Sequence, residues 1–387
     1  MKPAWLTLLV LAAAAPASAQ QIQFGGILQG DLGYGTNPFV RGGVTQGSGF
    51  ASGSFKPTLV YQTARSTTTL DGSYSRDQYF RLFGHRDSAL ASLKRVDLLT
   101  EQLVSTLSGS FSSTNSATIA DPEAINNEPL NIGRRVYHSS GQYQLQWQAS
   151  AKDQLVWGAA IDHSSYGHGS QNSVPNLSAS PYTQYSVNGG YNHSVDARTT
   201  LGAQVTVSAV RSKVYPDSRT VQPSLTAKRQ LTAIWEIDGN VGVVLQHVTG
   251  PFASSTTSVS YGVNLCGTYP HTHLCIAAEH QTSPSGYGAL RTNTSVSLNL
   301  SHDLTEHSRI ESTVSYYKTS SDKSLLGQIG VADNARAFLA SGQYDRDLTQ
   351  RLSAGFGATY QWRDYAVTGS GHSMSASVHL RAKLGRL

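Results

Sequence analysis

The chain has 387 residues, a formal net charge of +5 and only 14% charged side chains, with 36 Gly and 19 Tyr. So little charge without long apolar runs argues against an ordinary soluble enzyme and suits strands that meet lipid on one face and water on the other. The mild positive charge comes with neither a basic run nor an aromatic stacking platform, which argues against a nucleic-acid partner.

Residues 1–19 stand apart. Lys2 gives a positive start, Trp5 to Ala15 an apolar run, and Ala17-Ser18-Ala19 a small-residue cleavage site before Gln20. This predicts a secretory signal peptide, too short and wrongly flanked to span a membrane. No Cys follows the site, so a lipid anchor is not expected. The expected mature unit is one domain, residues 20–387. No apolar run in it approaches the ~20 residues of a spanning helix.

Taken in order, the mature chain alternates. In Gln21–Tyr34, Ile22, Phe24, Leu28 and Leu32 oppose Gln23, Gln29 and Asp31. Strands are predicted near 50–62 and 67–80 about a turn at Ala64-Arg65, and less clearly on either side of Asp97–Thr100. Thr114–Arg135 lacks periodicity and reads as the longest loop. Beyond it, Tyr143, Leu145 and Trp147 alternate with Gln142, Gln144 and Gln146, turn at Lys152-Asp153, and return through Leu155, Trp157 and Ile161. The clearest hairpin runs from Leu290 to Leu300, turns over His302–His307 and resumes at Ile310. Period-2 alternation places successive side chains on opposite faces of a strand.

Hairpins of this kind turn near Asp196, Asp238, Asp303 and Asp345, at intervals of 42, 65 and 42 residues, the longest expected to hold an extra hairpin between Ser255 and Gln281. Short turns, among them Lys152-Asp153, Ile237-Asp238-Gly239-Asn240 and Arg346-Asp347, alternate with longer loops such as Gly167–Ser180, Lys213–Gln222 and Ser320–Asn334. That asymmetry belongs to membrane barrels rather than to sandwiches or propellers. Trp147, Trp157 and Trp235 sit on the apolar face near short turns, and Trp362 sits on it near a long loop. These are girdle positions at the two membrane interfaces; core aromatics of a soluble sandwich are the alternative. The expected fold is all-β, a transmembrane antiparallel up-and-down barrel of about 18 strands, with 16 as the alternative because Phe80–Thr100 reads ambiguously. Such a barrel is too wide to fill with side chains and should hold water or a plug.

In this pattern the chain resembles Gram-negative outer-membrane β-barrels of the porin type. The turn segments His302-Asp303-Leu304-Thr305-Glu306 and Arg346-Asp347-Leu348-Thr349-Gln350, and the loop Ser283-Pro284-Ser285-Gly286-Tyr287-Gly288, look like those of uncharacterised tandem-hairpin barrels. The resemblance implies an outer-membrane location, contact with lipid and lipopolysaccharide, and a homotrimer as one assembly. Since some such barrels accompany exopolysaccharide export, components of an export system are further implied partners. The chain departs from the pattern at its last strand, which ends on Leu387 where such barrels carry a terminal aromatic residue.

Cys266 and Cys275 are the only cysteines. In an oxidising compartment they predict a disulfide. A zinc site is the alternative, since His271 and His273 lie between them, but the loop is short for tetrahedral closure. Neither Asp162-His163-Ser164 nor Ser301-His302-Asp303 can converge as a triad within one strand, because neighbours point to opposite faces. No catalytic residue, metal or cofactor is therefore expected. In general porins a long loop folds inward to form a constriction. The position and charge of Thr114–Arg135 imply the same role for Asp121, Glu123, Glu128, Arg134 and Arg135, with a solvated surface loop as the alternative. Arg291, Arg381 and Lys383 oppose Glu236, Glu279 and Glu311 on inward positions, from which a slight anion preference is expected. The expected function is a passive channel for small hydrophilic solutes. An accessory barrel of an exopolysaccharide export system and a structural or surface-interaction barrel are the alternatives.

Overall fold

The computed structural model describes residues 21–38, 40, 43–81, 84–115, 135–167, 181–213, 216–250, 253–284, 290–321, 335–365 and 369–385. Every regular element among them is a strand. In chain order these are β1 (Gln21–Thr36), β2 (Gly47–Gln62), β3 (Ser66–Tyr79), β4 (His85–Leu98), β5 (Leu103–Asn115), β6 (Arg135–Gln148), β7 (Asp153–Tyr166), β8 (Tyr182–Asp196) and β9 (Thr199–Ser212). They continue as β10 (Ser218–Gln230), β11 (Trp235–Val248), β12 (Ser254–Thr268), β13 (Thr272–Pro284), β14 (Leu290–Thr305), β15 (Ser308–Ser321), β16 (Ala335–Asp347), β17 (Leu352–Tyr365) and β18 (Gly369–Gly385).

Each strand pairs antiparallel with its neighbours in sequence, and β1 also pairs with β18 from Gly25↔Gly385 to Thr36↔Met374. The 18-stranded sheet is therefore closed. Closure leaves no edge and pairs the backbone internally, the condition for crossing a bilayer with strands. The ambiguous stretch after Phe80 resolves as β4, registered on β3 from Ser66↔Asp97 to Gln78↔His85 and on β5 beyond. That decides for 18 strands over 16.

The alternation sets which face meets lipid. On β1, Ile22, Phe24, Leu28, Leu32 and Tyr34 are exposed, as are Leu201, Val205, Leu225, Val241, Val259 and Val378 elsewhere on the same outer parity. Antiparallel partners share a face, so the apolar set passes from strand to strand: Leu155↔Tyr191, Tyr191↔Ala203, Ala203↔Leu225, Leu225↔Val241 and Val241↔Tyr261 form one outward row. An apolar exterior around a closed barrel is a membrane-spanning surface.

The β2–β3, β4–β5, β6–β7 and following even–odd connections are tight, while the chain between odd and even strands is longer except at β17–β18. Three predicted turns shift; the one placed at Arg346-Asp347 lies at Leu348–Arg351, because β16 runs on to Asp347. The one placed at Ile237–Asn240 lies at Leu231–Ile234, and Asp238, Gly239 and Asn240 are inside β11, where Asp238 is in register with Lys228 and Asn264. Likewise β14 runs on to Thr305 with an irregularity at Asp303/Thr305, so only Glu306 and His307 make that turn. Asp238 and Asn240 face the lumen, where polar side chains are accommodated, which is why Asp-Gly-Asn misleads.

Two prolines stand inside strands. Pro57 in β2 and Pro223 in β10 keep full register with one neighbour (Gly26 and Val205). Each interrupts the ladder to the other, where pairing skips Lys56-Pro57 and Gln222-Pro223 and then resumes unshifted. The missing N–H accounts for the gap.

Candidate functional site: the barrel lumen

The inward parity carries Ser, Thr, Gln and Asn on nearly every strand. One row reads Lys94, Ser108, Gln142 and Ala160; another reads Asn188, Thr206 and Gln222. Short hydroxyls and amides suit a wall facing water, and they bond across strands: Ser75 with Ser88 at 2.7 Å, Ser110 with Ser140 at 2.7 Å, Gln222 Nε2 donating to Ser260 Oγ at 3.0 Å.

Charges on this wall are unevenly placed. Lys56, Arg86, Lys94, Arg309, Arg363, Arg381 and Lys383 all come from the sector running β15–β18 and on through β1–β4, interleaved there with Asp31, Asp71, Asp77, Glu311, Asp345 and Asp347. Across the lumen, β5–β14 present Asp162, Glu236, Asp238, Glu279 and Asp303 but only Lys228 among the basic side chains described. Arg291 shares this parity, with its side chain outside the described set. Among the described side chains the resulting excess is acidic. Register adds Asp31, Asp71, Asp77, Asp162, Asp238, Asp303, Asp345 and Asp347 to the inward list, against Lys56, Arg86, Lys94, Lys228, Arg309 and Arg363.

Many of these groups are paired. Arg86 bonds Asp77. Lys228 Nζ reaches Glu236 at 2.8 Å, and Arg309 Nε reaches Asp303 at 2.7 Å. The densest knot lies near the β1–β18 seam. His379 Nε2 is 2.7 Å from Asp345 Oδ1 and Gln343 Nε2 donates to Asp345 Oδ2 at 2.6 Å. Arg381 Nε donates to Gln29 Oε1 at 3.3 Å, while Gln29 Nε2 and Ser52 Oγ both donate to Asp31 at 2.9 Å. Asp345 and His379 belong to β16 and β18, and the residue between them is Gly355.

The wall is not evenly wetted. Toward the long-loop end of β9–β12 the inward side chains are uncharged and out of water: Val244 is 0% exposed, Ser218 and Ser260 1%, Val210 2%. Ser218 Oγ, Thr220 Oγ1, Gln246 Nε2 and Ser258 Oγ make no hydrogen bond there.

Of the residues singled out from the sequence, Asp121, Glu123, Glu128 and Arg134 lie outside the described residues, as does the signal segment 1–19. Arg135 does not line the lumen. It is in register with Asn115 on the parity of Phe111 and Tyr137, and its guanidinium bonds Asp87 and, at 2.9 Å, Ser113 Oγ. One residue of register decides the face, and here it turns Arg135 outward. Trp147, Trp157, Trp235 and Trp362 are on the outer parity, the first three toward the short-turn end and Trp362 toward the other. Trp235 meets Tyr269 edge-on with ring centroids 6.1 Å apart.

Cys266 and Cys275 are register partners on β12 and β13 and are joined as a disulfide, with Cα atoms 4.2 Å apart. Both face the lumen near its short-turn mouth. His273 shares this face and His271 lies in the turn. The sequence triplet around His163 behaves as alternation requires: Asp162 and Ser164 face in and His163 faces out, bonding Thr183 at 2.9 Å. A different histidine, His138 of β6, fills the inward place, 3.1 Å from Ser164 Oγ and 3.9 Å from Asp162 Oδ1. Cross-strand register alone could have paired His138 with Ser164. Ser164 is 2% exposed, so this set is a wall contact rather than a reachable nucleophile.

No protein-family model matches the chain, and no curated protein does. Among solved structures it is similar to the FrpB iron transporter of Neisseria meningitidis (F3-3 variant), at 10% identity over 94% of this chain and 81% of that one, with a TM-score of 0.52. The apoprotein of the F5-1 variant gives 11% identity over the same shares and a TM-score of 0.51. Pseudomonas aeruginosa OccK2 (OpdF) aligns over 95% of this chain and 100% of its own at 11% identity, with a TM-score of 0.49. At these identities the likeness is one of fold.

Proposed function

We propose that the protein is a passive, porin-like channel for small hydrophilic solutes in the bacterial outer membrane. The observation that carries this reading is the pairing of an apolar exterior with a polar, charge-bearing lumen in a closed barrel of 18 strands. Barrels of this strand number leave an aqueous channel. The unwetted inward wall along β9–β12 favours a narrowed bore over a wide sieve. The acidic β5–β14 sector facing the mixed β15–β4 sector supplies a transverse field, which sorts solutes by charge where the bore is narrow. Its sign favours cations weakly. On charge alone, Asp121, Glu123 and Glu128 outweigh Arg134 and would add to the same preference, and the outward Arg135 would not oppose it.

Planar-bilayer recording of the refolded mature protein tests the reading. Discrete openings whose reversal potential in a salt gradient lies on the cation side support it. A folded barrel that passes no current contradicts it.

A further inference from the structure

The disulfide at the short-turn mouth has a histidine built onto it. His273 lies two residues before Cys275 on β13 and so shares its face, and its Nε2 is 3.3 Å from Cys275 Sγ. The ring is held from its other side: Thr268, its register partner on β12, places Oγ1 3.0 Å from Nδ1. Cys266 Sγ, His273 Nε2 and Cys275 Sγ lie within 4.8 Å of one another, on two paired strands anchored further by β11 and β14. A purely structural disulfide requires no imidazole oriented toward its sulfur.

We propose that this group is a redox-controlled metal site: oxidised, it is a disulfide; reduced, it binds one zinc-class divalent cation through Cys266, Cys275 and His273. The co-reactant is a dithiol donor. One donor thiolate, its proton lost to solvent, attacks Cys266 Sγ; the Cys266–Cys275 bond breaks, and Cys275 leaves with the bonding electron pair and takes a proton from solvent. The donor's second thiol then resolves the mixed disulfide. Two electrons have passed to the protein, which holds two thiols, and the donor leaves as its own disulfide. The cation displaces both thiol protons.

The geometry admits the cation. Sulfurs bound tetrahedrally at about 2.3 Å stand roughly 3.8 Å apart, within reach of two side chains on directly opposed residues of an antiparallel pair. The Thr268 hydroxyl donates to Nδ1 when Nε2 carries the proton and accepts from Nδ1 when Nε2 binds metal, so one partner serves both states. Glu236, in register with Cys266 on the same face, or water completes the fourth position. Three protein ligands with one open place make an exchangeable site.

The test titrates the refolded, phosphine-reduced protein with Co2+ and follows the thiolate-to-cobalt charge-transfer absorption, then displaces Co2+ with Zn2+. Circular dichroism checks the fold throughout. Reduced wild type should saturate at one equivalent, oxidised protein should show no band, Cys275→Ser should abolish it, and His273→Ala should weaken binding at least tenfold. A reduced, folded wild type without the band overturns the proposal, and so does His273→Ala binding as tightly as wild type.

Discussion

His379 reaches Asp345 at 2.7 Å although a whole strand separates them, and Gly355 is what lets it do so. The three residues occupy one inward row across β16, β17 and β18. A Cβ on Gly355 would stand 2.6 Å from His379 Nε2 and would collide with the Tyr344 carbonyl. The imidazole side chain, 2% exposed, lies over the place a side chain would fill.

Gly355→Ala should therefore overpack the wall and break the His379–Asp345 bond, at a cost of about 1–3 kcal/mol. Urea unfolding in detergent reads this as a lower midpoint. Gly53→Ala, where an added Cβ meets nothing within 4 Å, is the control and should shift the midpoint far less.

Leu225 sits mid-strand on β10 and is 62% exposed on the outer parity. If that parity faces hydrocarbon, Leu225→Arg should destabilise the barrel in lipid by about 2–4 kcal/mol, while Thr226→Arg, one residue on and facing the lumen, should not. Equal tolerance of the two would mean that the outer face is not in the membrane core.

The asymmetry of lumen charge makes a directional prediction. Glu279→Gln combined with Asp238→Asn removes charge from the acidic sector and should move the reversal potential toward anions. Lys56→Gln on the opposite sector should move it toward cations. Asp121→Asn with Glu123→Asn should shift it toward anions if that stretch borders the ion path; an unchanged potential would remove it from the selectivity filter.

Much of this architecture was legible in the sequence because strand alternation is a local property. Ile22 through Tyr34, Tyr143 through Trp147 and Leu290 through Leu300 each declare their two faces unaided, and Trp147, Trp157, Trp235 and Trp362 follow from them. What the sequence hid depends on neighbouring strands. Arg135 looked like a pore residue by its place in a charged stretch, but its register with Asn115 turns it outward. Asp238-Gly239 looked like a turn because those types favour turns, yet pairing with Lys228 and Asn264 holds it in β11. The His138–Ser164 and His379–Asp345 contacts join residues 26 and 34 positions apart and appear only once register is known.

Single-channel recording of the refolded mature protein in a planar bilayer tests the central claim most directly. The account predicts long-lived openings, smaller than a fully open bore of this strand number would give, with a weak cation preference. Silence from a protein whose circular dichroism reports a folded barrel would contradict it.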